Sequence, residues 1–239
     1  MNKPIQAALE NHRTRVGIER REKTRALLIK SAVGVFARKG PDLPVIDDFI
    51  AAAGVARGTF YNYFKTTSEL LAAVTGEMSD EVLSCIDPEV VKFGDPAVRI
   101  CMGTKLYVNI AIKYPIWGTF LTRIGSRHAV RGKLLDAYLT RDVELGVATK
   151  RFSVGSALVT RDIILGSIFF GIETLLTEPI HVHHIENMLY IVLHGMGLEA
   201  QEARMIAFMP LPDTGGVAGP IFSALVNRSG ECAKPGEAD

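Results

Sequence analysis

Residues 45–64 read VIDDFIAAAGVARGTFYNYF, and this stretch decides the fold. Ile46, Phe49, Ile50 and Ala53 fall at i, i+3, i+4 and i+7, one apolar face of an α-helix over Ile46 to Ala53. Gly54 stops that helix, because glycine takes the left-handed conformation just past a helix end at no steric cost, and Val55 plugs the turn. A second helix is predicted from Ala56 to Phe64, with Phe60 and Phe64 on one face and Arg57, Thr59, Tyr61 and Asn62 pointing elsewhere. Two helices joined by a short turn containing glycine make a helix-turn-helix, whose second helix enters the DNA major groove.

Together with the SELL that follows a short linker, AAAGVARGTFYNYF resembles the DNA-binding signature of the TetR family of bacterial transcriptional regulators. The resemblance implies an all-α homodimer, with an N-terminal domain that reads DNA and a larger C-terminal domain that binds a small molecule. In this family the second and third helices usually open on Thr and Ser, where this chain has Val45 and Ala56. Each change removes a side-chain N-cap worth about 0.5–2 kcal/mol. Asp47 and Asp48 partly compensate by placing negative charge in the first helical turn. Thr67 stands where many members carry a lysine that touches the DNA backbone, which shifts weight onto Arg57, Lys65 and the N-terminal arm.

Charge agrees with this division. The 239 residues carry a formal net charge of +1, yet residues 1–65 hold 12 Lys/Arg against 6 Asp/Glu, and the remainder 15 against 20. Basic charge is therefore concentrated on the segment with the helix-turn-helix, as phosphate binding requires. A hydrophobic content of 48% is ample for a core. Cys85, Cys101 and Cys232 lack metal-ligand or redox spacing, so no disulfide is expected and a reducing cytoplasm suits them. The N-terminus has no uninterrupted apolar core of a signal peptide, and the most apolar run, Ile163 to Ile172, is about half a membrane span.

Outward from the motif, residues 1–19 read as a basic arm, either solvated or reaching the minor groove with Arg13 or Arg15. Residues 20–66 form the DNA-binding domain, 67–210 a helical effector-binding and dimerisation domain, and 211–239 a flexible tail. Helix 1 is predicted from Arg20 to Lys39 on a stripe of Leu27, Leu28, Ala32, Val35 and Phe36. The fourth helix runs from Thr67 or Ser68 to Ile86 and ends at Asp87-Pro88. It is either the connection between domains or a plain core helix. Asp95-Pro96 opens a helix to Tyr114 and Pro115 opens the next. Two more follow from His128 to Lys150 and from Ser153 to Thr177, then one from Val182 to Gly195 and a short terminal helix in EAQEARMIAF.

Candidate residues follow from this frame. Arg57, Gly58, Thr59, Tyr61, Asn62, Tyr63 and Lys65 are the expected DNA contacts. Arg57 is suited to guanine or phosphate, Gly58 to close backbone approach, and Thr59 to a base edge or thymine methyl. Tyr107, Trp117, Phe120, Tyr138, Phe169 and Phe170, with Arg123, Arg127 and His128 as polar anchors, form the effector pool. Trp117 and Phe120 are preferred, because packing beside Pro115 is expected to be imperfect. Ile164 and Ile168 on helix 8, with Ile185, Leu189 and Val192 on helix 9, are the expected dimer interface across a two-fold axis. His181, His183 and His184 lack the i, i+4 spacing of a metal pair, and no nucleophile elbow, phosphate loop or carboxylate pair marks an enzyme or a cofactor site. The reading is a cytoplasmic, homodimeric, ligand-responsive repressor of a palindromic operator, released by a small apolar or amphipathic effector. Its rival is a helical enzyme or carrier for a lipophilic compound that keeps a vestigial DNA-binding domain.

Overall fold

The computed structural model describes residues 3–124, 132–178, 182–212, 217 and 219–224, with side chains from Arg15 onward. Among them lie ten helices and no strand: α1 (Lys3–Lys39), α2 (Ile46–Ala53), α3 (Arg57–Tyr61), α4 (Thr67–Val90), α5 (Pro96–Lys113), α6 (Pro115–Ile124), α7 (Leu134–Ala148), α8 (Ala157–Thr177), α9 (His184–Gly195) and α10 (Ala200–Ala207). No helix among the described residues is long and apolar enough to cross a membrane.

The N-terminal helices close around a line of aromatic rings. Phe36 of α1 lies 4.9 Å from Phe49 of α2, which stacks 6.4 Å from Phe60, itself 6.1 Å from Phe64. Gly54 takes the left-handed conformation, φ 63°, that ends α2. Val45 supplies no cap, but the Asp48 carboxylate accepts the Val45 amide at 2.9 Å and so satisfies one donor at the helix start. The Lys39 ammonium 2.6 Å away, with that amide, holds the Asp48 carboxyl below the usual carboxylate range.

Several boundaries differ from the sequence reading. The expected arm is helical from Lys3, continuous with α1, and on that helix Ile29 and Val33 turn inward while Leu27 faces solvent. α3 ends at Tyr61 rather than Phe64, because the Tyr63 and Phe64 amides both turn back to the Phe60 carbonyl, at 2.9 and 3.0 Å. α4 runs through Pro88 to Val90, since a proline in the last turn forgoes only one amide donor. Ser156, not Ser153, caps α8 by accepting the Val159 amide, and the Ser153 amide instead donates to the Met196 carbonyl at 2.9 Å. The predicted start of α7 at His128 lies outside the described residues. Within the expected tail, residues 220–224 form a helical turn whose Phe222 is buried, and residues 225–239 lie outside the described residues.

α4 is the hub. It packs on α1 at one side and on α5, α6 and α7 at the other. Arg25 of α1 donates to Glu77 of α4 at 2.7 Å. One turn further on, Asp80 accepts the Lys133 and Leu134 amides at 2.8 and 2.9 Å and so fixes the start of α7. α6 reaches the DNA-binding helices as well, through Phe120 against Phe36 at 5.8 Å and Arg123 to Asp42 at 2.8 Å.

Candidate DNA-reading surface and effector cavity

α3 presents its outer face because Phe60 and Phe64 are fixed in the core behind it. Arg57, Gly58, Tyr61, Asn62 and Lys65 are exposed, and Thr59 and Tyr63 are half-buried. The Arg57 guanidinium pairs with Asp47 of α2, both side chains more than half exposed. A pair that exposed contributes little. It parks the guanidinium at the mouth of the motif, and a guanine edge or a phosphate can displace the carboxylate. Lys65 donates to the Tyr61 carbonyl at 2.9 Å, which turns the ammonium back along α3. Tyr63 lies under the Arg21 guanidinium, 6.0 Å from ring centroid to carbon, so it joins α3 to α1 as well as facing outward.

A cavity lies between α4, α5, α7 and α8. Its apolar wall includes Leu83, Ile86, Ile100, Tyr107, Leu139 and Ile168. Asp87, Arg99, Tyr138 and Asp142 give it one polar region. There Arg141 grips Asp87 with two bonds of 2.8 and 3.1 Å and Asp142 with two of 2.9 Å, while Arg99 stands 3.5 Å from Asp142. Hydrogen bonds to Asp142 and then Asp87 push the Arg141 guanidinium further above its ordinary value, so it stays charged. Two cations and two carboxylates leave the cavity with polar directionality but no net charge. Burial, reinforced by Asp87, raises the Tyr138 hydroxyl, and burial raises that of Tyr107, which is bonded to Ser79. Both phenols therefore stay neutral hydrogen-bonding groups. The slot is narrow, with a cavity volume of ≈ 30 Å³.

Of the expected effector residues, the structure brings Tyr107 and Tyr138 to this cavity and leaves the others off its wall. Trp117 is fully buried instead, 5.1 Å from Tyr107, because Phe222 and Tyr107 fill the space beside Pro115. Phe120 packs toward α1, Arg123 is taken by Asp42, and Phe169 is buried in α8 away from the slot. Phe170 points outward, 72% exposed, and Arg127 and His128 lie outside the described residues. Sequence reasoning missed Asp87, Arg99, Arg141 and Asp142. A signal existed: Asp142 falls on the inward stripe of Leu135, Tyr138 and Leu139, where a carboxylate needs a partner.

Most of the expected interface residues turn inward in the protomer, and of the five Val192 also lines the outward groove. Ile164, Ile168, Leu189 and Val192 are buried within the protomer and Ile185 is half-buried, because these stripes face the other helices of the same chain. The outward face of α8 and α9 is carried by Ile163, Phe170 and Ile191, beside a groove that Ser167, Met188 and Gly195 help to line. Among the histidines, His194 shares a hydrogen bond of 2.8 Å with the Leu198 carbonyl. Glu186 stands 3.9 Å from His183 and 3.3 Å from the buried Lys105 ammonium, which donates to the carbonyls of Ala207 and Met209. His181 lies outside the described residues.

Residues 28–74 match the model of bacterial regulatory proteins of the tetR family, and residues 95–208 match the tetracyclin repressor-like C-terminal domain. The crystal structure of RolR in complex with resorcinol is 31% identical, covering 82% of this chain and 99% of that one with a TM-score of 0.73. RolR without ligand aligns at 30% identity, covering 79% of this chain and 99% of that one, with a TM-score of 0.69. The HTH-type transcriptional regulator YfiR of Bacillus subtilis is 33% identical over 69 residues, 29% of this chain and 34% of that protein. The chain thus matches about a third of the length of this curated relative, and 30% of that of YvdT from the same organism.

Proposed function

The chain belongs to the tetR family of bacterial regulatory proteins, and from that premise we propose that it is a homodimeric transcriptional repressor, released from a palindromic operator by a small, neutral, hydroxylated aromatic compound. One observation carries this reading: the helix that leaves the DNA-binding motif, α4, is itself a wall of the apolar slot with a charge-balanced polar region described above. A planar ring suits the apolar walls. Ring hydroxyls can donate to the Asp87 or Asp142 carboxylates and accept from the two guanidiniums. RolR, which binds resorcinol, supports that ligand class.

The mechanism is a population shift. A compound that needs the slot open favours conformers in which α4 has moved, and a moved α4 carries the recognition helices out of register with successive major grooves. DNA and effector then oppose each other with equal coupling energy. The N-terminal part reads DNA and the C-terminal part binds effector and partner copy, in the cytoplasm where the operator lies.

The direct test is a gel shift on the DNA around the protein's own gene, at several salt concentrations, with resorcinol as the first of a series of phenols. Trp117, the single tryptophan, touches Tyr107 and should report occupancy by fluorescence. Retarded DNA released by a phenol that also changes the emission is the expected result. A protein that binds phenols yet retards no DNA would be the helical carrier instead.

Gly103 gives a sharper test of the slot. It lines the cavity, and a Cβ there meets Val90 at 3.7 Å, an ordinary contact. Gly103→Ala should therefore raise stability by up to about 1 kcal/mol through helix propensity while narrowing the slot. The releasing concentration of the phenol is expected to rise about tenfold, in line with the ~1–3 kcal/mol that one misplaced methylene costs a pocket, with operator affinity unchanged. Release at the wild-type concentration, in a protein that melts no lower, would place the effector elsewhere.

A further inference from the structure

The match to the C-terminal domain ends at residue 208, but the chain returns to the body of the molecule after that. The Ile221 and Phe222 amides donate to the two oxygens of the Glu81 carboxylate at 2.9 and 2.7 Å. Glu81 belongs to α4, two residues before Leu83 of the effector cavity. Gly219 is part of the fit, since a Cβ there would lie 2.3 Å from the same carboxyl group. Phe222 is 1% exposed, edge-on to Tyr114 at 4.9 Å and to Trp117 at 5.6 Å. Tyr114 closes α5 and Trp117 sits on α6, so one turn of chain holds the middle of α4 to the α5–α6 corner by a charge-assisted pair of hydrogen bonds and a buried ring. On its other side Trp117 meets Tyr107, and Tyr107 lines the cavity.

We propose that Glu81, Tyr114 and Trp117 form a second binding site, separate from the effector cavity, for an aromatic side chain carried on a helical turn, and that Phe222 of the chain's own C-terminal segment is its resident occupant. Seated there, the segment is a clamp. α4 and α6 both touch the DNA-binding domain, through Glu77, Phe120 and Arg123, and the clamp fixes their separation. Any movement of α4 that opens the cavity has to work against it. That consequence rests on the effector reading above, whereas the site and its occupant do not.

The test uses neither operator nor effector, so its outcome is independent of the gel shift. Hydrogen exchange is followed in the full chain, in Phe222→Ala, in Glu81→Gln and in a chain ending at Leu211, together with Trp117 emission. Loss of a fully buried ring is expected to speed amide exchange about 100-fold across Glu77–Val90 and Pro115–Ile124 and to move Trp117 emission to longer wavelength. Glu81→Gln, which leaves the aromatic packing intact, should give about tenfold, the size expected for weakening charged hydrogen bonds. A synthetic peptide of residues 217–226, added to the shortened chain, should restore both protection and emission, and the same peptide with Phe222→Ala should not. Acceleration confined to 217–224, with α4 and α6 as protected as in wild type, overturns the clamp. Equal rescue by both peptides overturns Phe222 as the occupant.

Discussion

Phe170→Glu and Ile191→Glu are each expected to turn the protein into a folded monomer that no longer holds its operator. Phe170 is 72% exposed, Ile191 68% and Ile163 57% on the outward face of α8 and α9. Ile163 and Phe170 are seven residues apart, two helical turns, so they present one stripe. The groove at that face, ≈ 340 Å³ between Ile163, Ser167, Met188, Ile191 and Gly195, has room for side chains from a second copy. Burying each large apolar side chain contributes about 1.5–3 kcal/mol, and two-fold symmetry counts every substitution twice. A glutamate introduced there is buried without a partner in both subunits. Since a single helix-turn-helix reads only half a palindrome, loss of the dimer should weaken operator binding by about 100-fold or more, the range in which linked sites exceed single ones. Ile168→Glu is the contrasting variant: at 1% exposure it should give an insoluble chain rather than a monomer. Sedimentation decides the matter, and a wild-type monomer, or a Phe170→Glu dimer with full operator affinity, removes this face as the interface.

The proposed interface also marks where the sequence stops speaking. α8 is apolar nearly all round, so its pattern announces two covered sides without saying which stripe faces which. Ile164 and Ile168 share that apolar pattern with Ile163 and Phe170, and only the packing of α5, α6 and α7 on α8 leaves the first pair buried and the second exposed. The local signals fared better: Gly54 at the turn, Asp95 accepting the Ala97 amide at 2.9 Å ahead of Pro96, and Pro115 opening α6 all act within one helical turn. The polar end of the cavity is the opposite case. Asp87, Arg99 and Arg141 come from three helices, and only tertiary packing joins them. Aromatic content pointed instead to α6, where Trp117 and Phe120 turn out to be the packing between parts of the molecule. Phe222 lay in a Gly- and Pro-rich tail whose composition argues for mobility, and its partner Glu81 is 141 residues away.

Arg57→Ala and Tyr61→Ala should both release the operator while leaving fold and dimer as they are. Both side chains are on the outer face of α3, where substitutions usually change stability by no more than about 0.5 kcal/mol, so thermal melts should superimpose on wild type. The loss of affinity should be large, because a guanidinium bound bidentately to guanine is worth about 1–3 kcal/mol, which is ~5- to 150-fold for each half-site. Arg57 has two possible tasks on DNA, and they separate in the same experiment. If it clamps a phosphate, Arg57→Ala lowers the slope of log affinity against log salt by about one and weakens all sequences alike. If it reads guanine, the slope changes little and the preference at one base pair disappears. Asp47 supplies the internal control. Its carboxylate competes with DNA for the Arg57 guanidinium, so Asp47→Asn should strengthen operator binding in wild type and do less once Arg57 is alanine. That non-additivity is the signature of a shared partner. Operator affinity unchanged in both Arg57→Ala and Tyr61→Ala would mean that α3 does not enter the groove.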